Sequence, residues 1–349
     1  MMKRLLIKYG IINLFLLFCF GCDSDKSGLR KHYNSSDNLK QIRDKIVEVK
    51  LDGPDISNFG NPYILNEYLI ISDYQSLDSL IHIYDKHTFR YLKSCGVRGM
   101  GPQEITNMGN IVPNEEERTF FVIDHGKQKI LSYAIDSVLE PPHYLFKEKV
   151  GMKKTEFPNN FQYVNDTLSY ASFIKVISNS DYKPVTAKWN MMTGDIDFMD
   201  YLGHPEIQKK RVTSVASIAN GIYVEAYWYH DLLSICSLDG ELMCNLYGAK
   251  WDNKTSNVNE YYTDVVFCDN KIIASYLGGK RMSEKENRAN NPTYLIVFTI
   301  EGEHVMTLDV GLPILSFCYD DENKRLILVC DDETQIAYID MNEILGFTS

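Results

Sequence analysis

The chain has 349 residues, with 47 acidic side chains against 36 basic ones and a formal net charge of −11. So acidic a chain lacks the basic footprint by which proteins hold nucleic acid, and no nucleic-acid partner is expected. Of its eight cysteines, none stands in a C-x-x-C pair of metal-binding spacing.

At the N-terminus, Lys3, Arg4 and Lys8 precede an apolar stretch from Ile11 to Phe20. It is shorter than the roughly 20 residues a membrane helix needs and fits the core of a secretory signal. Gly21-Cys22 closes it as a lipobox does. Residues 1–21 therefore read as a lipoprotein signal peptide and Cys22 as the lipid attachment site. The competing reading is an ordinary cleaved signal with an incidental cysteine. Residues 22–44, opening with DSDKSG, read as a polar tether. The expected location is the bacterial cell envelope, as an outer-membrane lipoprotein held to the membrane by its lipid, with the periplasmic and surface-facing leaflets both open.

Beyond the tether there is almost no helical periodicity. Short runs of Ile, Val, Tyr, Phe and Leu alternate with Asn, Asp and Gly, which is the pattern of strands and turns. Two features recur. The first is a polar turn leading into an apolar strand: NEYLIIS, ERTFFVID, NDTLSYA, NGIYVEA, DNKIIAS and NKRLILVC. The second is a hairpin turn whose following strand ends in glycine: KHTFRYLKSCG, TGDIDFMDYLG, DGELMCNLYG and EGEHVMTLDVG. The steps are about fifty residues, long enough for four short strands, the spacing of a β-propeller. One such sheet cannot bury both its faces, whereas six stacked around an axis can.

The prediction is an all-β, six-bladed β-propeller over residues 45–349. Its blades are at about 60–100, 105–151, 157–203, 211–248, 260–311 and 313–341. The last blade shows three strands, ILSFCY, RLILVC and QIAYID, while KIVEVKL at 45–51 belongs to none. Pairing this N-terminal strand with the last blade would close the ring.

GVRGMGPQEI (96–105), followed by TFFVIDHGKQKILSYAID, resembles the blade junction of the TolB-like and NHL-like propellers, roughly G-x-x-G-x-G-P-x-E/Q-F/I. With the lipobox, the chain resembles a TolB-like six-bladed propeller lipoprotein of Bacteroides-type bacteria. That resemblance implies an envelope scaffold or binding protein and no defined reaction.

Chemical motifs are sparse. The junction is no P-loop, since no Gly-Lys-Ser/Thr follows, and no dinucleotide fingerprint, since a strand follows. Gly96, Gly99 and Gly101 suit a tight turn, and Pro102 fixes φ. Gln103 and Glu104 either cap backbone groups or face a ligand, with Arg98 beside them. There is no G-x-S-x-G elbow and no H-E-x-x-H, so no catalytic residue is assigned. Asp73, Asp124, Asp269 and Asp331 end strands, where they could cap turns or meet a calcium ion, which takes converging oxygens. No motif supports calcium, and the expectation is no cofactor and no metal site. Cys236 and Cys244 flank one hairpin closely enough to raise a bridge.

Propeller topology puts the junction on one face with the loops joining each blade's second and third strands. Two stretches there attract attention. Tyr227, Trp228, Tyr229 and His230 could meet a sugar or peptide, with core packing an equal reading for Tyr227 and Tyr229. The loop 278–292 carries Lys280, Arg281, Lys285 and Arg288 and either is simply solvated or holds an anionic group. The ligand-facing set is thus Arg98, Gln103, Glu104, Trp228, His230, Lys280, Arg281 and Arg288. The expected function is an anchored binding or scaffold propeller for a protein partner or glycan. The alternative is a metal-assisted hydrolase or lactonase-like enzyme using channel carboxylates.

Overall fold

The computed structural model describes residues 29–140, 144–254, 256–283 and 288–346. The segment read as a signal peptide, Cys22 and Lys285 lie outside them. Three short strands come first: β1 (Arg30–His32), β2 (Leu39–Gln41) and β3 (Ile46–Val49). Blade one is β4 (Gly60–Leu65), β5 (Tyr68–Asp73), β6 (Ile81–Asp85) and β7 (Tyr91–Cys95). Blade two is β8 (Met108–Asn114), β9 (Thr119–Asp124), β10 (Lys129–Ala134) and β11 (Lys147–Gly151), with helix α1 (Ile135–Leu139) before its last strand. Blade three is β12 (Glu156–Asn165), β13 (Leu168–Ser178), β14 (Asp181–Trp189) and β15 (Ile196–Phe198).

Blade four follows as β16 (Val212–Ser217), β17 (Ile222–Tyr227), β18 (Leu232–Ser237) and β19 (Leu242–Tyr247). Blade five is β20 (Asn259–Cys268), β21 (Lys271–Lys280), β22 (Tyr294–Thr299) and β23 (His304–Asp309). Blade six is β24 (Ile314–Asp320), β25 (Arg325–Cys330) and β26 (Ile336–Asp340), after which helix α2 (Met341–Leu345) is capped by the Asp340 carboxylate. Its fourth strand is β3, antiparallel to β26. The fold is thus an all-β six-bladed propeller closed by its N-terminal strand, as the repeat predicts.

Each blade's first strand touches its counterparts in the neighbouring blades, so these six strands wall a central channel. The second strands are the most apolar, because blades pack on both their faces: β5, β9, β17 and β25 are almost wholly buried. Five of the six seams between blades hold large apolar clusters. The seam between blades three and four differs. Its fully buried apolar side chains are Met199, Tyr223 and Cys236. Beside them the buried pair Lys210–Glu225 meets at 2.6 Å, and Thr186 donates to the same carboxylate oxygen at 3.1 Å.

The expectation of a free tether over residues 22–44 is corrected from Arg30 onward. β1 adds to β19 and β2 to β23, both parallel, as fifth strands on blades four and five. The segment is polar and so reads as linker. Yet the outer edges of these blades offer unpaired backbone groups that such a chain can satisfy. Tyr33 anchors it, inserting between blades four and five and donating to Asp231 at 2.9 Å.

The bridge raised for Cys236 and Cys244 is absent, and both are buried free thiols. Cys244 pairs with Ile235 and Cys236 with Leu242, so the two sulfurs sit on opposite pleats of the hairpin.

Candidate functional site

The channel mouth is assembled from one equivalent position per blade: Asn61, Asn110, Asn160, Ser214, Asp264 and Ser316. All six line a cavity of about 760 Å³. In four of the six strands a break in register falls at this position, at Met108/Ile111, Pro158/Asn160, Tyr262/Val265 and Ile314/Ser316. Such a break bends the strand and shifts the alternation of its side chains: Asn110 and Asp264 fall inside the break, and Asn160 and Ser316 follow it directly.

Hydrogen bonds across the seams fix the ring. Tyr63 donates to Asn110 at 3.3 Å, and Asn110 donates to the Asn159 carbonyl at 2.9 Å. Asp264 accepts the Phe317 N–H at 3.2 Å and its neighbour Val265 N–H at 2.9 Å. The Ser316 hydroxyl donates to the Gly60 carbonyl at 2.6 Å. Asp264 keeps some surface open to the channel, but protein surrounds it. Burial pushes its carboxyl up to about 7, against the opposing pull of the two N–H donors.

Groups remain unengaged. Asn61 uses its amide N–H on the Phe59 carbonyl, and Asn160 its carbonyl on the Phe161 N–H. Among the described residues, the other amide ends of these two and the Ser214 hydroxyl have no protein partner. Trp228 lines the same cavity from blade four, and its indole N–H is buried without an acceptor. At the opposite mouth the lining is acidic: Glu115, Asp320, Asp321 and Glu322, with the Lys86 ammonium held between Asp320 at 3.1 Å and Glu322 at 2.7 Å.

The residues singled out in the sequence fall at three places around the ring. Glu104 caps its own loop, accepting the Gly101 N–H at 2.6 Å. A Cβ on Gly99 would stand 1.9 Å from the same carboxylate, so the glycine makes room for the cap. Arg98 donates to the Tyr74 carbonyl. Gln103 is exposed at the loop tip. The loop opens on Gly96 at φ +75° and is held from outside by the Lys127 ammonium, which donates to the Gly101 and Glu104 carbonyls.

His230 is buried, its Nδ1 3.1 Å from the Asp252 carbonyl and its ring against Tyr227 and Trp251. Tyr227 is core, accepting the His204 N–H at 3.1 Å. Of the aromatic quartet, Trp228 is the member that reaches the channel. Lys280, Arg281 and Arg288 stand on the extension of β21 and its loop, where Arg288 leans on Asp331 at 3.8 Å. These three groups share a face but form no common site.

The strand-end aspartates are occupied. Asp73 accepts Ser57 N–H at 2.8 Å and Gln75 N–H at 3.0 Å, while Asp124 takes four backbone N–H groups from Thr106, Asn107, Gly126 and Lys127. Asp269 holds Lys324 and Tyr319, and Asp331 accepts Asn291. Among the described residues no three His, Cys, Asp or Glu side chains gather as a metal site.

The fold and its channel define the class, a six-bladed β-propeller with a polar axial cavity. More narrowly, the chain belongs to the DUF5128 six-bladed β-propeller family, whose pattern matches residues 38–235. None of the curated proteins matches it significantly. Among solved structures it is similar to a member of the DUF4221 family from Bacteroides vulgatus, at 11% identity and a TM-score of 0.55, covering 84% of this chain and 94% of that one. A Bacteroides fragilis protein described as exported is 12% identical with a TM-score of 0.53, over 92% of this chain and 96% of that one. A luciferin-regenerating enzyme is 10% identical with a TM-score of 0.56, over 84% and 94%. At these identities the likeness is one of fold.

Proposed function

We propose that this chain is an envelope lipoprotein that binds a partner or glycan at the mouth of its propeller without transforming it. The observation that carries the reading is the ring of six polar side chains, one per blade, each set in place by the first-strand geometry. Two of its members are already engaged: the Ser316 hydroxyl on a backbone carbonyl, the Asp264 carboxyl on two backbone N–H groups. The location belongs to the proposal too. It rests on the signal-like segment ending at Cys22, and the exported Bacteroides fragilis protein of similar fold is in keeping with it. Kinship with TolB-like and NHL-like propellers, read from the junction at 96–105, is likewise part of it.

One observation favours the metal-assisted hydrolase or lactonase reading. Asp264, held near 7, is the channel group best poised for proton transfer. Elemental analysis of the intact purified lipoprotein, together with identification of what co-purifies with it, separates the two. Binding predicts a co-purifying partner or glycan and no stoichiometric metal. A divalent ion at one per chain, required for turnover, would replace the binding reading with the enzymatic one.

A further inference from the structure

The channel mouth has a chemistry of its own that narrows what it takes. The cavity, about 760 Å³, falls within the size range of small-molecule sites. The wall at this mouth carries the amides of Asn61, Asn110 and Asn160, the hydroxyls of Ser214 and Ser316 and the Asp264 carboxyl. Among the described residues no side-chain cation lines it there, and the far mouth carries Glu115, Asp320, Asp321 and Glu322. Lys86, the basic group at that end, is held between two carboxylates. An anionic ligand would meet a field of its own sign from the channel and from a chain of net charge −11.

Trp228 supplies the second, independent observation. A buried indole N–H without an acceptor is costly, and native proteins rarely leave one so. The indole borders the same cavity as the unengaged ends of Asn61 and Asn160 and the Ser214 hydroxyl. An apolar ring with a polar edge beside a set of amides and hydroxyls suits a ligand with C–H faces and many hydroxyls.

We infer that the channel mouth binds a neutral polyhydroxylated group, the terminal sugar of an uncharged glycan, with the Trp228 indole N–H donating to a ligand oxygen and Asn61, Asn160 and Ser214 completing its hydrogen bonds. This rests on the reading of the propeller as a binding module. A free sugar and the end of a longer glycan share this chemistry, and chain length in the test distinguishes them.

The test uses the full lipoprotein in detergent, screened on an array of neutral and uronic-acid glycans. Hits are then titrated by tryptophan fluorescence against their mono-, di- and trisaccharide forms. Neutral members should bind and their uronic-acid counterparts should not. Trp228→Phe, which keeps a ring but lacks the N–H, should weaken binding about tenfold. Its thermal midpoint should stay the same or rise, since an unpartnered donor has been removed. Asn160→Ala, whose backbone-capping carbonyl makes it a less clean probe, should weaken binding in the same direction.

Binding confined to acidic glycans, binding unchanged in Trp228→Phe, or no neutral glycan bound across the array would each overturn the inference. If a protein partner co-purifies and the array is blank, the sugar site falls while the binding module stands. Metal-dependent turnover would remove both.

Discussion

At the scale of single residues, Asp264 shows how a channel wall tunes one group. Its carboxyl binds a proton more tightly in the folded protein, near 7, than in the unfolded chain, where aspartate titrates at about 3.9. The stability contributed by that proton is fully present below about pH 4 and is lost as the pH rises through about 7. Asp264→Asn cannot ionise. Its urea midpoint, measured against wild type, should therefore rise between pH 5 and pH 8 by an amount of order 2 kcal/mol in stability. The same offset at both pH values would show that Asp264 is not held protonated. Glu104 shows the opposite lesson. In sequence it looks like a ligand-facing acid after three glycines, yet its carboxylate closes the turn that carries it. A short glycine-rich loop leaves several N–H groups without ladder partners, and a carboxylate three residues on satisfies one.

At the scale of elements, the N-terminal strap is the main departure from the sequence reading. β1, β2 and β3 run in succession along the outer edges of blades four, five and six. Tyr33 secures the strap between blades four and five, where its hydroxyl also meets that of Tyr262, and Tyr276 donates to the same Asp231 carboxylate at 3.2 Å. Burial raises the Asp231 carboxyl, offset by the Lys250 N–H and the tyrosine donors. Tyr33→Ala removes a buried ring and a donor together. It should cost about 3 kcal/mol in equilibrium unfolding, with faster amide exchange in β19 and β23. Unchanged stability would show that the strap is an ornament. Strands of three residues with polar side chains carry no readable alternation, so they are visible as strands once the partner edge is in place.

At the scale of the molecule, the ring's seams and its point of attachment decide how it can be presented. β1 runs parallel to β19, with Arg30 opposite Asn245 and His32 opposite Tyr247, and Lys31 reaches Glu301 and Glu303 at the turn between β22 and β23. The proposed lipid on Cys22 precedes this strap in the chain. Cys22→Ala should move the protein from the membrane pellet to the soluble fraction, scored by fractionation and immunoblot. Retention in the membrane would end the lipoprotein reading. The seam between blades three and four joins a small apolar cluster to the buried Lys210–Glu225 ion pair, where the other seams hold large apolar clusters. A buried pair gains little over an apolar contact of the same volume, so this seam owes less of its hold to burial than the other five.

The amino-acid sequence by itself determined the class of fold. A period of about fifty residues with four apolar runs admits few other ways of covering both faces of each sheet, and the incomplete last blade with a spare N-terminal strand specified how the ring closes. It also marked Trp228 as a residue to watch. What it could not show is convergence. Asn61, Asn110, Asn160, Ser214, Asp264 and Ser316 are as regularly spaced as the blades, but Asn, Ser and Asp are common turn residues. Nothing local tells a residue turned toward a channel from one that caps a loop. Bulges that depend on the neighbouring strand, and seams that depend on the next blade, bring those six to one axis. The same dependence assigned His230 to the core and Glu104 to its own loop, because each takes its partner from chain that lies near it only in the folded ring or turn.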